Sequence, residues 1–113
     1  MSKIITVPKD KEALAKLDFD DASSSCLIEL SISENEYLHL ERIYFFENIN
    51  KLSGSLIDNY EDDSIVDLEI LKSVYEFLNK KYKNDNYYDT LISPILGLFN
   101  EAIKRETGFF FFF

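Results

Sequence analysis

The sequence predicts a mainly α fold, a compact bundle of three to four helices with one or two short N-terminal strands, and three observations carry that expectation. Gly 3 and Pro 2 are too few to punctuate an all-β sandwich, which turns every ~8–12 residues. Apolar residues recur at spacings of three and four over long stretches, most regularly from Leu68 to Tyr82. Clear two-residue alternation is confined to one segment, Cys26–Ser33. The alternative is an α+β fold with a small antiparallel sheet. A chain of 113 residues with no internal repeat or linker is read as a single domain, 1–113. Its 10 Phe and 7 Tyr supply enough large side chains to offset the entropy lost on folding.

In chain order, Lys3–Val7 is rich in Ile, Thr and Val and reads as a short strand or extended arm. Pro8 then opens a short helical stretch, Lys9–Leu17, with Ala13, Leu14 and Leu17 on one side. Asp18–Ser25 has neither apolar period and reads as a loop. In Cys26–Ser33, Ile28, Leu30 and Ile32 alternate with Glu29, Ser31 and Ser33, as in a half-buried strand. Ser33-Glu34-Asn35-Glu36 has the form of a capping box, in which hydroxyl and carboxylate each accept from the other residue's amide. The helix it opens is expected to reach Leu52 or Ser53 and stop at Gly54. Its core stripe would be Leu38, Phe45, Ile49 and Leu52, with Tyr37, Leu40 and Tyr44 beside it and Ile43 and Phe46 broadening it. A rival hairpin pairs Cys26–Ile32 with Leu38–Phe46, since Leu38 and Leu40 also alternate; the cap signal and the length of the pattern favour helix.

Leu56–Asp63 reads as a polar connection, after which Ser64 is expected to cap a helix with Asp67 in its first turn. Leu68, Leu71, Tyr75, Leu78 and Tyr82 form its stripe, flanked by Ile70, Val74 and Phe77. Lys80, Lys81 and Lys83 crowd its C-terminal end, where cations are favoured, and Asn84-Asp85-Asn86 breaks it. Tyr87–Glu106 is a last helical region with Leu91, Ile95, Leu98, Ala102 and Ile103 inward, kinked or restarted at Ser93-Pro94 and ended by Gly108. Phe109–Phe113 then form an apolar run whose exposure would be a strong aggregation hazard. Burial in a groove of the domain itself is expected, with partner or self-association as the other outcome.

Charge is the most informative global property. Of 21 acids and 12 bases, residues 17–71 hold fourteen Asp/Glu against only Arg42 and Lys51, a net of −12, whereas the remainder nets +3. Such a field repels nucleic acid and anionic lipid and steers cationic proteins inward, so direct nucleic-acid and membrane partners are disfavoured. No apolar run approaches the ~20 residues that span a bilayer, and Met1–Val7 is too short for an export signal. Cys26 is the only cysteine, which leaves no internal disulfide or thiolate cluster and fits a reducing, cytoplasmic setting.

Catalytic equipment is sparse. His39 is the sole histidine, and no nucleophile elbow, phosphate-binding loop or zinc-protease motif occurs. Neither His39 nor Cys26 is assigned a role, and no cofactor is implied. Asp58–Glu69 fails as a calcium loop, because Tyr60 fills its third position and no Gly falls at the sixth. That stretch instead reads as either a solvated loop or a docking patch, with Asp58, Glu61, Asp62, Asp63, Asp67 and Glu69 around the aromatic anchor Tyr60. Asp18, Asp20, Asp21, Glu34 and Glu36 form a second candidate patch.

A small acidic single-domain chain with acid-rich segments such as Ile57–Asp67 and Asp18–Asp21, and no catalytic set, resembles in overall character the immunity proteins of bacterial toxin–immunity pairs, including those of contact-dependent growth inhibition. The resemblance implies a monomeric cytoplasmic antidote that binds a basic toxin domain, commonly a nuclease, in a 1:1 complex. Its carboxylates would then occupy the positions of substrate phosphates. Two other classes compete: a helical adaptor or assembly subunit using the Phe tail as an interface, and an enzyme built on carboxylate pairs, which would need acids converging in a deep pocket.

Overall fold

In the computed structural model of the chain, residues 3–18, 22–58 and 62–113 are described, the side chains of Asp18 and Ser24 excepted. The expected helical bundle is corrected to an α+β fold, the alternative architecture. Strands β1 (Lys3–Pro8), β2 (Leu27–Ile32), β3 (Asp63–Ile65) and β4 (Phe109–Phe112) form a four-stranded antiparallel sheet in the order β2-β1-β4-β3. Helices α1 (Lys11–Asp18), α2 (Glu34–Arg42), α3 (Phe45–Ser53), α4 (Leu68–Tyr82) and α5 (Ser93–Arg105) complete the described elements, with a π-helical turn at Tyr88–Ile92 leading into α5.

The Phe run decides the architecture. It enters the middle of the sheet rather than a groove, with Ile5 opposite Phe111 on one side and Ile65 opposite Phe109 on the other. Residues directly opposite across an antiparallel pair face the same way. One face therefore gathers Ile5 and Val7, Ile28, Leu30 and Ile32, Ile65, and Phe109 and Phe111. The helices pack on it: Phe99 of α5 stacks on Phe109 at 4.0 Å, and Phe46 of α3 meets Phe111 edge-on at 6.3 Å. Phe110 points to the opposite face and is buried as well. A central strand apolar on both sides shows neither helical nor alternating periodicity, which is why the run could not be read as a strand.

The Ser33 capping box forms as expected, Glu36 N–H donating to the Ser33 hydroxyl and Ser33 N–H to the Glu36 carboxylate at 3.1 and 2.8 Å. The helix it opens is shorter than predicted. It breaks at Ile43–Tyr44, where Tyr44 adopts φ 63°, and α3 then runs to Gly54 at φ 75°. Tyr82 holds this corner: its hydroxyl donates to the Ile43 carbonyl at 2.7 Å, satisfying an acceptor that the break frees. The corner changes the buried stripe to Tyr37, Leu40, Phe45, Phe46 and Ile49, leaving the predicted core residues Leu38 and Leu52 exposed with Tyr44. The rival hairpin is excluded, since 34–42 is helical.

Two caps are also reassigned. Asp67, not Ser64, caps α4 by accepting from the Glu69 and Ile70 amides, while Ser64 lies in β3. Helix α5 ends at Glu106 with φ 55° rather than at Gly108, whose own constraint is space: a Cβ there would lie 2.9 Å from Val66 Cγ1.

The double-sided burial of β4 generates a test. Phe111→Ala should lower unfolding free energy by about 3–5 kcal/mol, whereas Phe112→Ala, at a half-exposed site, should cost well under half as much. Urea denaturation of the two variants measures the difference.

Candidate protein-binding site at the acidic end

The strand register sorts charge along the sheet. At one end β1 begins with Lys3 opposite Ile32, β4 finishes, and β3 begins with Asp63 opposite Phe111. That end joins the Ser33–Glu34 start of α2, Phe113 and Asp62. At the other end lie Pro8, Leu27, Phe109 and Ile65, together with Lys9 and Arg105, whose guanidinium donates to the Lys9 carbonyl at 3.1 Å.

At the acidic end Tyr37 is the centre. Its ring stacks on Phe46 at 5.3 Å and meets Phe113 edge-on at 5.6 Å, and its hydroxyl donates to Glu41 Oε1 at 2.9 Å. The hydroxyl's pKa is pushed well above 10.0, by burial first, then by the hydrogen bond to Glu41 and the charges of Glu41, Asp58 and Glu34. Carboxylates from α2 and from the segment after α3 therefore act on the same hydroxyl. Beside them a shallow groove of about 330 Å³ is lined by Glu41, Tyr44, Phe46, Glu47, Asn50, Ile57 and Asp58. Asn50 shapes its wall, bridging to the Ile57 amide and carbonyl at 2.8 and 2.9 Å. Carboxylates of Glu41, Glu47 and Asp58 beside the exposed Tyr44 ring suit the guanidinium or ammonium groups of a basic partner.

The structure divides the predicted site residues by what their oxygens already do. Asp63 accepts from Leu56 N at 2.6 Å and from Ser64 N at 2.7 Å, which makes it a loop clasp. Asp62 Oδ1 accepts from Phe113 N at 3.1 Å while the residue stays exposed at the acidic end. Asp67 and Glu69 follow Ile65 to the opposite end, one as the α4 cap and the other 3.5 Å from Lys72. They do not join the cluster. Glu36 is committed to the capping box. Glu34 and Asp58 belong to the acidic end. The anchor Tyr60 with Glu61, and Asp20 with Asp21, lie outside the described residues, as does the side chain of Asp18.

Glu41, Glu47, Tyr37 and Tyr44 complete the site without having been singled out from the sequence. A signal existed for two of them, since Glu34, Tyr37 and Glu41 stand at helical spacings of three and four. Elsewhere, His39 Nε2 lies 3.0 Å from Asp85 Oδ1, and Cys26 is half-buried with its sulfur 3.6 Å from the Ser23 hydroxyl. Among the described residues no group of His, Cys, Asp and Glu could hold a metal ion, and no helix is long and apolar enough to cross a membrane.

No protein-family model matches the chain, and no curated protein matches it by sequence. One solved structure shares its fold. The Neisseria DNA mimic protein DMP12 aligns with a TM-score of 0.64 at 20% identity, over 100% of this chain and 100% of that one. The likeness is of architecture, and it runs from end to end.

The raised Tyr37 hydroxyl sets an alkaline limit on stability. An unfolded phenol ionises near 10.0, so below that pH both states keep the proton and nothing is lost. Above it the unfolded chain releases its proton first, and stability falls as pH climbs toward the folded value. Urea unfolding from about pH 8 to 11 should show this slope reduced in Tyr37→Phe, with a remainder from Tyr82, which burial also raises. At neutral pH the variant should lose about 1 kcal/mol with its hydrogen bond.

Proposed function

We propose that this chain is a non-catalytic inhibitor that docks its acidic end on the nucleic-acid-binding surface of a cationic protein. The observation that carries this reading is the shallow groove in which Glu41 and Glu47 meet Asp58, with Glu34 about two turns before Glu41 on α2. Glu34 and Glu41 share α2, and folding brings Asp58 from the segment after α3 to the same groove as Glu41. A surface that accepts DNA presents Lys, Arg and amide donors to phosphates, and carboxylates satisfy the same donors. A net charge of −9 adds long-range attraction to such a partner and repulsion of DNA itself. That a protein of the same fold is described as a DNA mimic favours this mode over the adaptor alternative, and burial of the Phe run inside the sheet leaves that alternative without its interface. An open groove also lends no support to carboxylate catalysis, which needs a water-excluding pocket.

The immunity-protein expectation is one case of this proposal, in which the blocked protein is a nuclease toxin domain and the 1:1 complex forms in the cytoplasm. Other DNA-binding proteins satisfy the same chemistry. The identity of the partner separates the cases: a toxin domain encoded beside this gene points to immunity, a resident DNA-binding protein to mimicry.

The test uses the immobilised chain to capture proteins from the cell that produces it, followed by elution with duplex DNA. A captured protein should be released by DNA and by salt. A Glu34→Gln, Glu41→Gln, Asp58→Asn triple variant should then bind that purified protein with an association rate lower by about tenfold at low salt. An Asp67→Asn, Glu69→Gln variant should change the rate by less than about twofold. Retention that duplex DNA does not compete, or equal loss in both variants, would overturn the assignment of function to the acidic end.

A further inference from the structure

Charge attracts every basic protein alike, so an inhibitor of one partner needs a second, short-range element. Helix α2 carries a candidate on the side away from the groove. There a cleft of about 500 Å³ is lined by Glu36, Leu38, His39 and Arg42 of α2 and by Tyr87 and Leu91 of the segment before α5. Leu91 is buried in its floor, whereas Leu38 and Tyr87 are 48% and 51% exposed. The π-helical turn shapes the far wall, Tyr87 O accepting from both Leu91 N and Ile92 N at 2.9 and 3.1 Å; widened turns of this kind recur at functional sites.

The rim is held in place. His39 Nε2 meets Asp85 Oδ1 at 3.0 Å, the same oxygen accepts from Tyr87 N at 2.8 Å, and the Tyr87 ring packs edge-on against His39 at 4.5 Å. An exposed aromatic fixed this way loses little entropy when it meets a partner. Glu36 and Arg42 bring opposite charges to the cleft, and the His39 ring is held by Asp85. Nothing there demands an ion. The cleft also adjoins the acidic end, because Leu38 lies four residues after Glu34 and three before Glu41, on the same helical stripe.

We propose that this cleft is the anchor pocket of the docking surface, receiving an apolar side chain, Phe or Leu, that the partner protein carries beside its basic residues. The inference rests on the proposed function, from which it takes the basic partner. A second copy of this chain does not fit, since it would bring two acidic stripes against each other at a net charge of −9 apiece. Charge then governs the rate of encounter, and the pocket governs dissociation and choice of partner.

Two peptide probes, acetyl-Phe-Gly-Arg-Arg-amide and acetyl-Ala-Gly-Arg-Arg-amide, test the pocket by NMR titration of the whole chain. Both should perturb the amides of Glu34 and Glu41, while only the Phe peptide should shift the Leu38 and Leu91 methyls and bind tighter, by about fivefold or more. Leu38→Asn, at an exposed site, should erase that difference and leave the Ala peptide's affinity unchanged. Equal affinities with silent methyls would overturn the pocket and leave the proposed function standing. Failure of both peptides to perturb Glu34 and Glu41 would sink the two together. Methyl shifts that follow protein concentration without peptide would overturn the pocket in favour of self-association.

Discussion

The structure depends on the insertion of β4 between β1 and β3. That pairing joins residues near both ends of the chain, buries both faces of a Phe run, and places Phe113 N within 3.1 Å of Asp62. Its entry is equally constrained. Thr107 Oγ1 donates to the Pro8 carbonyl at 2.8 Å, and Gly108 passes so close to Val66 and the Ile65 carbonyl that no Cβ fits. A chain entering through so narrow a gap is registered before the first Phe pairs, and register is what decides which rings meet the helices. The acidic end is thus a by-product of sheet closure. Asp62 and Phe113 meet, at the same end of the sheet as Ser33, because β2 and β4 stop where β1 and β3 start.

Crowding carboxylates there requires a counter-charge, and Lys3 supplies it from inside. The residue is 2% exposed, its ammonium 3.6 Å from Glu34 Oε1, 4.5 Å from the Tyr37 ring centre and 5.7 Å from that of Phe113. A buried lysine is costly unless its charge is compensated. Here the Glu34 carboxylate and the faces of aromatic rings take part in that task, and the cation in turn eases repulsion among the acids above it. The same residue therefore belongs to the core by position and to the acidic end by its effect.

Legibility in the sequence followed the reach of the interactions involved. The capping box at Ser33–Glu36 and the Leu68–Tyr82 stripe rest on contacts within a few residues and the two N-terminal strands on their own composition or alternation; all four form, although α4 starts after Asp67 and not after Ser64. The break at Tyr44 was hidden because its cause is distant: Tyr82, 39 residues further on, satisfies the freed Ile43 carbonyl. Strands β3 and β4 were hidden for a related reason, a three-residue strand and an all-Phe strand having no readable period until a partner strand is given. The site shows the same division. Segregation of acid in residues 17–71 was visible as composition, but Asp63, Asp67 and Glu36 look like any other acid in a sequence, and only backbone geometry shows that their oxygens are engaged by amides.

Those engaged carboxylates still matter to recognition, in a different way. An amide hydrogen bond occupies an oxygen of a carboxylate without removing its formal charge. At distances near or beyond the Debye length of about 8 Å, a partner responds to the summed field, to which Asp63, Asp67 and Glu36 contribute alongside Glu41 and Asp58. At contact the sum breaks up. Only carboxylates with open oxygens, on groups that can close around a guanidinium, form the short bonds that hold a complex together. An acidic protein of this kind therefore has a wide attracting surface and a much smaller gripping one. Under the proposed function the two can evolve separately, because caps and clasps such as Asp67 and Asp63 are retained for folding whatever the partner.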